Sequence, residues 1–389
     1  MEKQKRTPVL CFPEFNEDWR TILLEQVCDK TISYGIVQTG NLIENGISCV
    51  RVVDLTSEIL DVSKMITTSI DISKSYKKTI LEEDDIIFAL RGVIGKVIKV
   101  SPDLMGCNIT RGVARISGDK KQVFPDYMLW AIRSPRFIEE LNKRVNGSAL
   151  LEIPLSGLRA VPISITSLPE QTKIANFLTA VDNKLTQLKQ KRNLLVQYKK
   201  GVMQKIFDRE IRFKDDDGNE FPNWKIVMLG EIARIATGNS NREDSTLEGD
   251  YTFFDRSQDI RSSSIFLFDG EAIIVAGEGQ EFIPKYFIGK FDLHQRTYSI
   301  MNFINANGKF LFYQIDKFRH YFFSQAVGST VKSLRLPMFE KMPIQLPCFT
   351  EQSKIANFLT AIDEKINQCN NQIAKTEAYK IGLLQQLFV

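Results

Sequence analysis

The chain has 389 residues, 43% hydrophobic and 25% charged, long enough for two or three globular domains and unlike collagen or a disordered chain. A net charge of +4 permits a nucleic-acid partner without arguing for one. No apolar run reaches the ~18 residues of a membrane span, and the opening MEKQKRTPVLCFPEF lacks a signal core, so a cytoplasmic location is expected.

In chain order, a charged tail (1–11) precedes a first globe (12–166) with strand-like runs at Ile47–Leu55 and Asp85–Leu90, the latter followed by RGVIGKVIKV. Phe124–Arg144 reads as a helix interrupted at Ser134-Pro135 and leads to a Gly147-Ser148 turn. A long helix (167–207) and a linker (208–220) follow, the linker carrying the solvated turn Asp215-Asp216-Asp217-Gly218. The second globe (221–347) has a strand-like run at Glu271–Gly279, a helix over Gly308–Val327 and a Gly328-Ser329 turn. A second long helix occupies 348–389. The expected fold class is α/β, with two globes joined by two long helices.

The strongest feature is an internal repeat. EQTKIANFLTAVDNKL from Glu170 and EQSKIANFLTAIDEKI from Glu351 align without a gap at an offset of 181, and KIANFLTA is identical in both. The match continues weakly to QKIF (Gln204–Phe207) and QQLF (Gln385–Phe388). Upstream, Gly147-Ser148 pairs with Gly328-Ser329 and Val161-Pro162-Ile163 with Met342-Pro343-Ile344. More loosely, FPEFNEDW matches FPNW, with Trp19 opposite Trp224. Between these anchors the copies hardly agree, so each is a shared frame around a variable middle.

Both repeated tails carry apolar stripes of coiled-coil spacing. In the first helix they are Ile174, Leu178, Val181, Leu185, Leu188, Leu195, Val202 and Ile206; in the second, Ile355, Leu359, Ile362, Ile366, Cys369, Ile373, Leu383 and Leu387. Pro169 suits a first turn, and Ser167 with Glu170 fits a capping box. Arg192, Lys199 and Lys380 interrupt the stripes. The plainer reading is long cations snorkelling from an imperfect seam; the alternative is residues that fix register. The simplest partner for each helix is the other, arranged as an antiparallel pseudo-twofold pair. Leu185 and Ile366 would be buried in one continuous seam, and each helix would span ~55 Å at 1.5 Å per residue.

Motifs for catalysis are missing. The six cysteines are scattered without a C-x-x-C pair, which reads as reduced thiols and no structural zinc. His294 and His320 are the only histidines, a scarcity that disfavours histidine catalysis. There is no phosphate loop, no dinucleotide fingerprint and no N-P-P-[FYW] sequence. One loose pattern, Asp103 with Asp119 and Lys121, allows a metal-dependent nuclease, although SGDKKQ around Asp119 reads as a surface turn.

The duplicated layout, the E-Q-x-K-I helix starts, the G-S turns and the openings that run from Phe-Pro to a Trp (Trp19, Trp224) together resemble the specificity subunits of type I restriction-modification systems. The resemblance covers nearly the whole chain. It implies two target-recognition domains, each gripping one half of a split asymmetric DNA sequence, spaced by two antiparallel helices. It also implies that the chain is not itself an enzyme and binds no cofactor or metal. S-adenosylmethionine, ATP and Mg²⁺ would belong to partner methyltransferase and restriction/translocase subunits. Cys369 and Thr376 stand where the first helix has Leu188 and Leu195, which predicts a weaker second seam.

Arginine and lysine dominate DNA interfaces. The candidates are Arg51, Arg91, Lys96, Arg111 and Arg115 in the first globe, and Arg242, Arg256, Arg261, Lys285 and Arg296 in the second. Lys184, Lys189, Lys191, Arg192, Lys199, Lys200 and Lys205 make the first helix basic, as a solvated face, a partner surface or a track under DNA. Two other readings stay open: the nuclease, and a coiled-coil scaffold that binds only proteins.

Overall fold

The computed structural model describes residues 8–56, 60–147, 151–257 and 259–388; Ser148 of the first expected turn lies outside them. The chain divides into unit 1, Met1–Leu188 with Gln372–Val389, and unit 2, Lys189–Asn371. Each unit holds one globe with part of each long helix.

Unit 1 runs β1 (Arg20–Leu23), β2 (Ser33–Tyr34), β3 (Ile47–Val50), β4 (Ile66–Thr68), α1 (Ile70–Ser75), β5 (Ile86–Ala89) and β6 (Val97–Lys99). It continues through β7 (Asn108–Ile109), β8 (Val113–Ile116), α2 (Pro125–Ile132), α3 (Pro135–Asn142), α4 (Leu155–Arg159) and β9 (Pro162–Ile165) into α5 (Leu168–Phe207). The sheets it forms have orders β2-β8-β5-β6, β4-β3-β7 and β1-β9. Alternate residues of a strand face opposite ways, so β5 serves two cores: Ile86 and Phe88 join the core that includes α2 and the long helices, while Ile87 and Ala89 join a second core with Val50, Leu55 and Ile109. Burying each such large side chain contributes about 1.5–3 kcal/mol. This explains an unbroken apolar run where a one-sided strand would alternate. The expected strand over Ile47–Leu55 stops at Val50; Val52–Thr56 is a 3₁₀ turn.

Unit 2 contains β10 (Lys225–Met228), α6 (Leu229–Ile232), β11 (Arg234–Thr237), β12 (Tyr251–Phe254), β13 (Arg261–Ser263), β14 (Phe268–Ala276) and β15 (Glu278–Gly279). Then come β16 (Lys285–Leu293), β17 (Thr297–Met301), α7 (Gly308–Lys317), α8 (His320–Gln325), β18 (Lys332–Ser333), α9 (Leu336–Glu340), β19 (Pro343–Leu346) and α10 (Phe349–Gln386). Its largest sheet among the described residues has order β11-β17-β14-β16-β12-β13, and β10 pairs with β19 as β1 pairs with β9. Here β14 takes the part of β5: Ile273 and Val275 face the core shared with the long helices, and Ala272 and Ile274 face another with Phe254 and Phe291.

The repeated anchors grip the helices alike. Gln171, fully buried, accepts from the N–H of Phe124, the residue before α2, at 2.8 Å and donates to the carbonyls of Gln122 at 3.0 Å and Thr166 at 2.7 Å. Gln352, also fully buried, accepts from the N–H of Asn307, the residue before α7, at 2.7 Å and donates to the carbonyls of Asn305 at 3.2 Å and Pro347 at 2.9 Å. Each glutamine thus ties a long helix to the start of the globe helix beside it. An aromatic trio repeats too: Trp19 and Tyr127 meet Phe388 in unit 1, and Trp224 and Phe310 meet Phe207 in unit 2.

In unit 1 the opening turns of α5 (Ile174, Leu178) share a core with the end of α10 (Leu383, Leu387). In unit 2 the closing turns of α5 (Met203, Ile206) share one with the opening of α10 (Ile355, Leu359, Ile362). Within each unit the helices are antiparallel. Leu185, Leu188 and Cys369 are buried, while Val181, Leu195, Val202, Ile366 and Ile373 are half-buried. Ile366 therefore departs from its expected full burial.

Two further expectations give way. The Ser167 hydroxyl has no hydrogen-bond partner among the described residues, and Glu170 instead receives the Thr166 hydroxyl, so the capping box is not formed. Snorkelling holds for exposed Arg192 but not for Lys199 and Lys380, which are ion-paired with Asp363 and Asp182. Gly147 and Gly328, the glycines of the expected G-S turns, have φ of 98° and 111°, a region that L side chains avoid. Among the described residues no helix is long and apolar enough to cross a membrane.

Candidate nucleic-acid interface

In unit 1 the cations gather where strands leave the sheets. The Leu90 N–H, just after β5, bonds the Gly112 carbonyl at 2.9 Å, and the chain then turns through Arg91–Lys96 and returns with the Ala89 N–H on the Lys96 carbonyl at 3.0 Å. At the end of β3, the Val50 carbonyl accepts from Thr110 N–H at 2.9 Å, which brings Arg51 beside the Arg111-Gly112 turn. A Cβ on Gly112 would lie 2.7 Å from Arg91 Nε and 2.6 Å from Val52 Cγ2. Only glycine lets the Arg91 side chain cross that turn.

Arg111 and Lys96 are exposed and Arg91 is half-buried, none of them in an ion pair among the described residues. Arg51 forks onto Asp54 at 2.8 and 3.1 Å. Arg115 is not on this surface. It is 3% exposed, 2.6 Å from buried Asp85 and 3.3 Å from Glu82, so its guanidinium serves the globe's interior.

Unit 2 builds a cleft. Loops after β11 and β12, the short strand β15 and the β16–β17 connection bring Arg242, Arg256, Glu278, His294, Gln295 and Arg296 around a 210 Å³ recess. It adjoins a 440 Å³ recess that shares Asp255, Arg256 and Glu278 and reaches Lys285.

Two carboxylates set the cations. Asp255, 3% exposed, holds Arg242 Nη1 at 2.6 Å and receives the Ser257 hydroxyl at 2.6 Å and amide at 2.8 Å. Burial pushes its pKa up, but the Ser257 bonds and Arg242 outweigh this and hold it low. Glu278, 13% exposed, accepts from Arg296 at 2.6 Å and Arg256 at 3.5 Å, whose own side chains are 62% and 63% exposed.

Lys285 donates to the Ser257 carbonyl at 2.7 Å, and burial lowers its pKa. His294 Nδ1 accepts the Arg296 N–H at 3.0 Å; burial lowers its pKa against the opposing pull of Asp255. Beneath, fully buried Asp292 binds the hydroxyls of Ser240 and Ser263 and fastens the strands that carry the cleft. Arg261 is half-buried in β13, paired with Phe253 of β12, and does not line either recess.

Four of the five cations expected in this globe therefore converge. The carboxylates that organise them, and His294, were not singled out, because only strand pairing brings these distant positions together. The nuclease trio does not assemble as a site: the Asp119 carboxylate takes the Lys121 N–H and the Gln122 amide within its own turn, and Asp103 lies exposed in a 3₁₀ turn.

The sequence matches the family described as Type I restriction modification DNA specificity domain over residues 16–197 and 222–376. It is 29% identical over 160 residues, 41% of this chain, to the type I restriction enzyme EcoBI specificity subunit of Escherichia coli. That match spans 34% of the relative, and a second E. coli relative, the EcoDI specificity subunit, is matched over 33% of its length. The chain is 24% identical to the putative MjaX specificity subunit of Methanocaldococcus jannaschii, across 96% of this chain and 93% of that one. In fold it is similar to a type I restriction-modification S subunit from M. genitalium, with a TM-score of 0.66, 16% identity and 99% of each chain covered.

Proposed function

Since the chain belongs to the type I restriction-modification DNA specificity family, we propose that it is the non-catalytic subunit that reads a bipartite DNA target, one half-site per globe. The observation that carries this reading is the unit 2 cleft, where Arg256 and Arg296 stand largely exposed on one shared carboxylate. Exposed ion pairs contribute only about 0–1 kcal/mol, whereas a bidentate arginine–guanine contact discriminates by about 1–3 kcal/mol. With side chains 63% and 62% exposed, both arginines can present donors to a base edge brought to the recess. Arg242, on buried Asp255, is held more firmly and suits a fixed phosphate contact. In unit 1 the Arg91–Lys96 hairpin and Arg111 offer unpaired cations for the other half-site.

S-adenosylmethionine, ATP and Mg²⁺ act on methyltransferase and restriction/translocase partners, with no cofactor on this chain. Exposed Leu194 and Tyr198 in unit 2, and Tyr379 and Ile381 in unit 1, are apolar helix positions of the kind a partner subunit covers.

The test is a globe exchange. Residues 12–146 are replaced by the corresponding region of a relative, and methylated sites are mapped in a host carrying the complete system. One half-site changes and the other persists. Both changing would show coupled readers and overturn the modular reading.

A further inference from the structure

The long helices carry the same polar device twice. In unit 1, Lys380 is ion-paired with Asp182 and lies 4.9 Å from the Trp130 ring centre. Arg133 approaches the same carboxylate at 4.0 Å and the same ring at 5.1 Å, and Trp130 Nε1 donates to Thr179 Oγ1 at 3.0 Å. In unit 2, Lys199 is 2.6 Å from Asp363 and 4.9 Å from the Tyr313 ring centre. The Tyr313 hydroxyl donates to Asp363 at 2.7 Å and lies 3.2 Å from Thr360 Oγ1. Thr179 and Thr360, Asp182 and Asp363, and Lys199 and Lys380 are equivalent positions at the offset of 181.

A snorkelling lysine puts its ammonium in water. These are 19% and 21% exposed, each held between a carboxylate and an aromatic face. Stability does not explain them either: replacing a buried ion pair by apolar side chains is often neutral or stabilising. The best-attested use of a polar seam residue is to specify alignment.

The pattern supplies the logic. Antiparallel helices set each lysine against an aspartate. Parallel helices aligned at equivalent positions would set Asp182 against Asp363 and Lys199 against Lys380, which like charge disfavours. We infer that the crossed Asp182–Lys380 and Asp363–Lys199 pairs are a charge code that fixes the direction and register of the helix pair. If the helices join two DNA readers, as proposed above, the four residues are also positioning residues for the gap between half-sites.

The test uses the full chain with both pairs made apolar together (Asp182→Leu, Lys380→Leu, Asp363→Leu and Lys199→Leu), read by lysine–lysine cross-linking between α5 and α10. The parent gives one register of cross-links. The variant keeps its helicity, melts at the same temperature or higher, and gives additional registers. A single unchanged register overturns the code.

Reversing all four charges (Asp182→Lys, Lys380→Asp, Asp363→Lys, Lys199→Asp) restores complementarity and the single register; a mixed set there would show that the lysines act through shape, and also overturns it. Reversing only the Asp182–Lys380 pair keeps both antiparallel contacts but makes the parallel alignment equally complementary, so registers multiply. Methylated-site mapping in the complete system then separates the two claims. A broadened gap in the leucine variant supports both, whereas multiple registers with an unchanged gap uphold the code and count against the spacer reading.

Discussion

Gln171 and Gln352 make the same three kinds of hydrogen bond, one in each unit. The surfaces those units present are unlike. Arg111 and Lys96 of unit 1 are exposed on turns without acidic partners among the described residues, whereas Arg256 and Arg296 of unit 2 share Glu278 across a recess. The two copies agree where a globe grips the long helices and differ where cations face outward. A duplicated scaffold can diverge in that way only if the grip does not depend on the surface, and β5 and β14 show how. In each, one set of alternate residues faces the helix-side core and the other faces a separate core.

The largest effect should come from the grip. Gln171→Ala and Gln352→Ala each remove the partner of one N–H and two carbonyls, at roughly 1–3 kcal/mol for each of these groups that water does not reach. Urea unfolding should show losses of similar size in both variants. A marked inequality would break the claim that the copies grip alike.

The outward surfaces should respond differently. Replacing Arg256 and Arg296 by alanine should weaken binding to the complete target about tenfold or more, since each bidentate base contact carries about 1–3 kcal/mol, and should relax sequence preference in one half-site. Lys96→Ala should instead weaken binding evenly across sequences and lower the salt slope by about 1. Competition binding at several salt concentrations distinguishes these outcomes, and a uniform loss from the arginine pair would remove the case for a base-reading cleft.

The smallest effect concerns His294. Burial lowers its pKa, so as pH falls below the ordinary 6.5 the unfolded chain binds the proton more readily than the folded one. The contribution of neutral His294 is intact above that value and lost as pH drops through the lowered pKa. His294→Asn should flatten the decline of the unfolding midpoint as pH falls below about 6.5; an unaltered profile would place the sensitivity elsewhere.

The frame was legible in the sequence because its signals are local or repeated in register. KIANFLTA, the glutamines and the G-S turns each occur twice at one offset, and the Ser134-Pro135 break appears where α2 gives way to α3. The sites were legible only as residue types. Arg115 looks like any other arginine beside a strand until Asp85, thirty positions away by number, is found 2.6 Å from it. Asp255 follows β12 and Glu278 opens the short strand β15, and nothing in either stretch announces a shared recess. Lys199 and Lys380 broke an apolar pattern, and the pattern alone does not separate a flaw from a device. Their partners lie on the other helix, out of reach of any local reading.

Unit 1 also has an unusual history built into its chain path. Its core needs Leu383, Leu387 and Phe388, which set an aromatic ring against Trp19 and Tyr127, yet more than three hundred residues separate these from the first strand. Unit 2 is one uninterrupted stretch, Lys189–Asn371. During synthesis the second-made unit can close first, while the first-made one waits with an open apolar face until the closing turns of α10 leave the ribosome, the reverse of the usual N-terminal-first order. A ribosome stalled before those turns emerge would thus display a finished unit 2 with an unfinished unit 1, and that interval is when the chain is most exposed to chaperones and proteases.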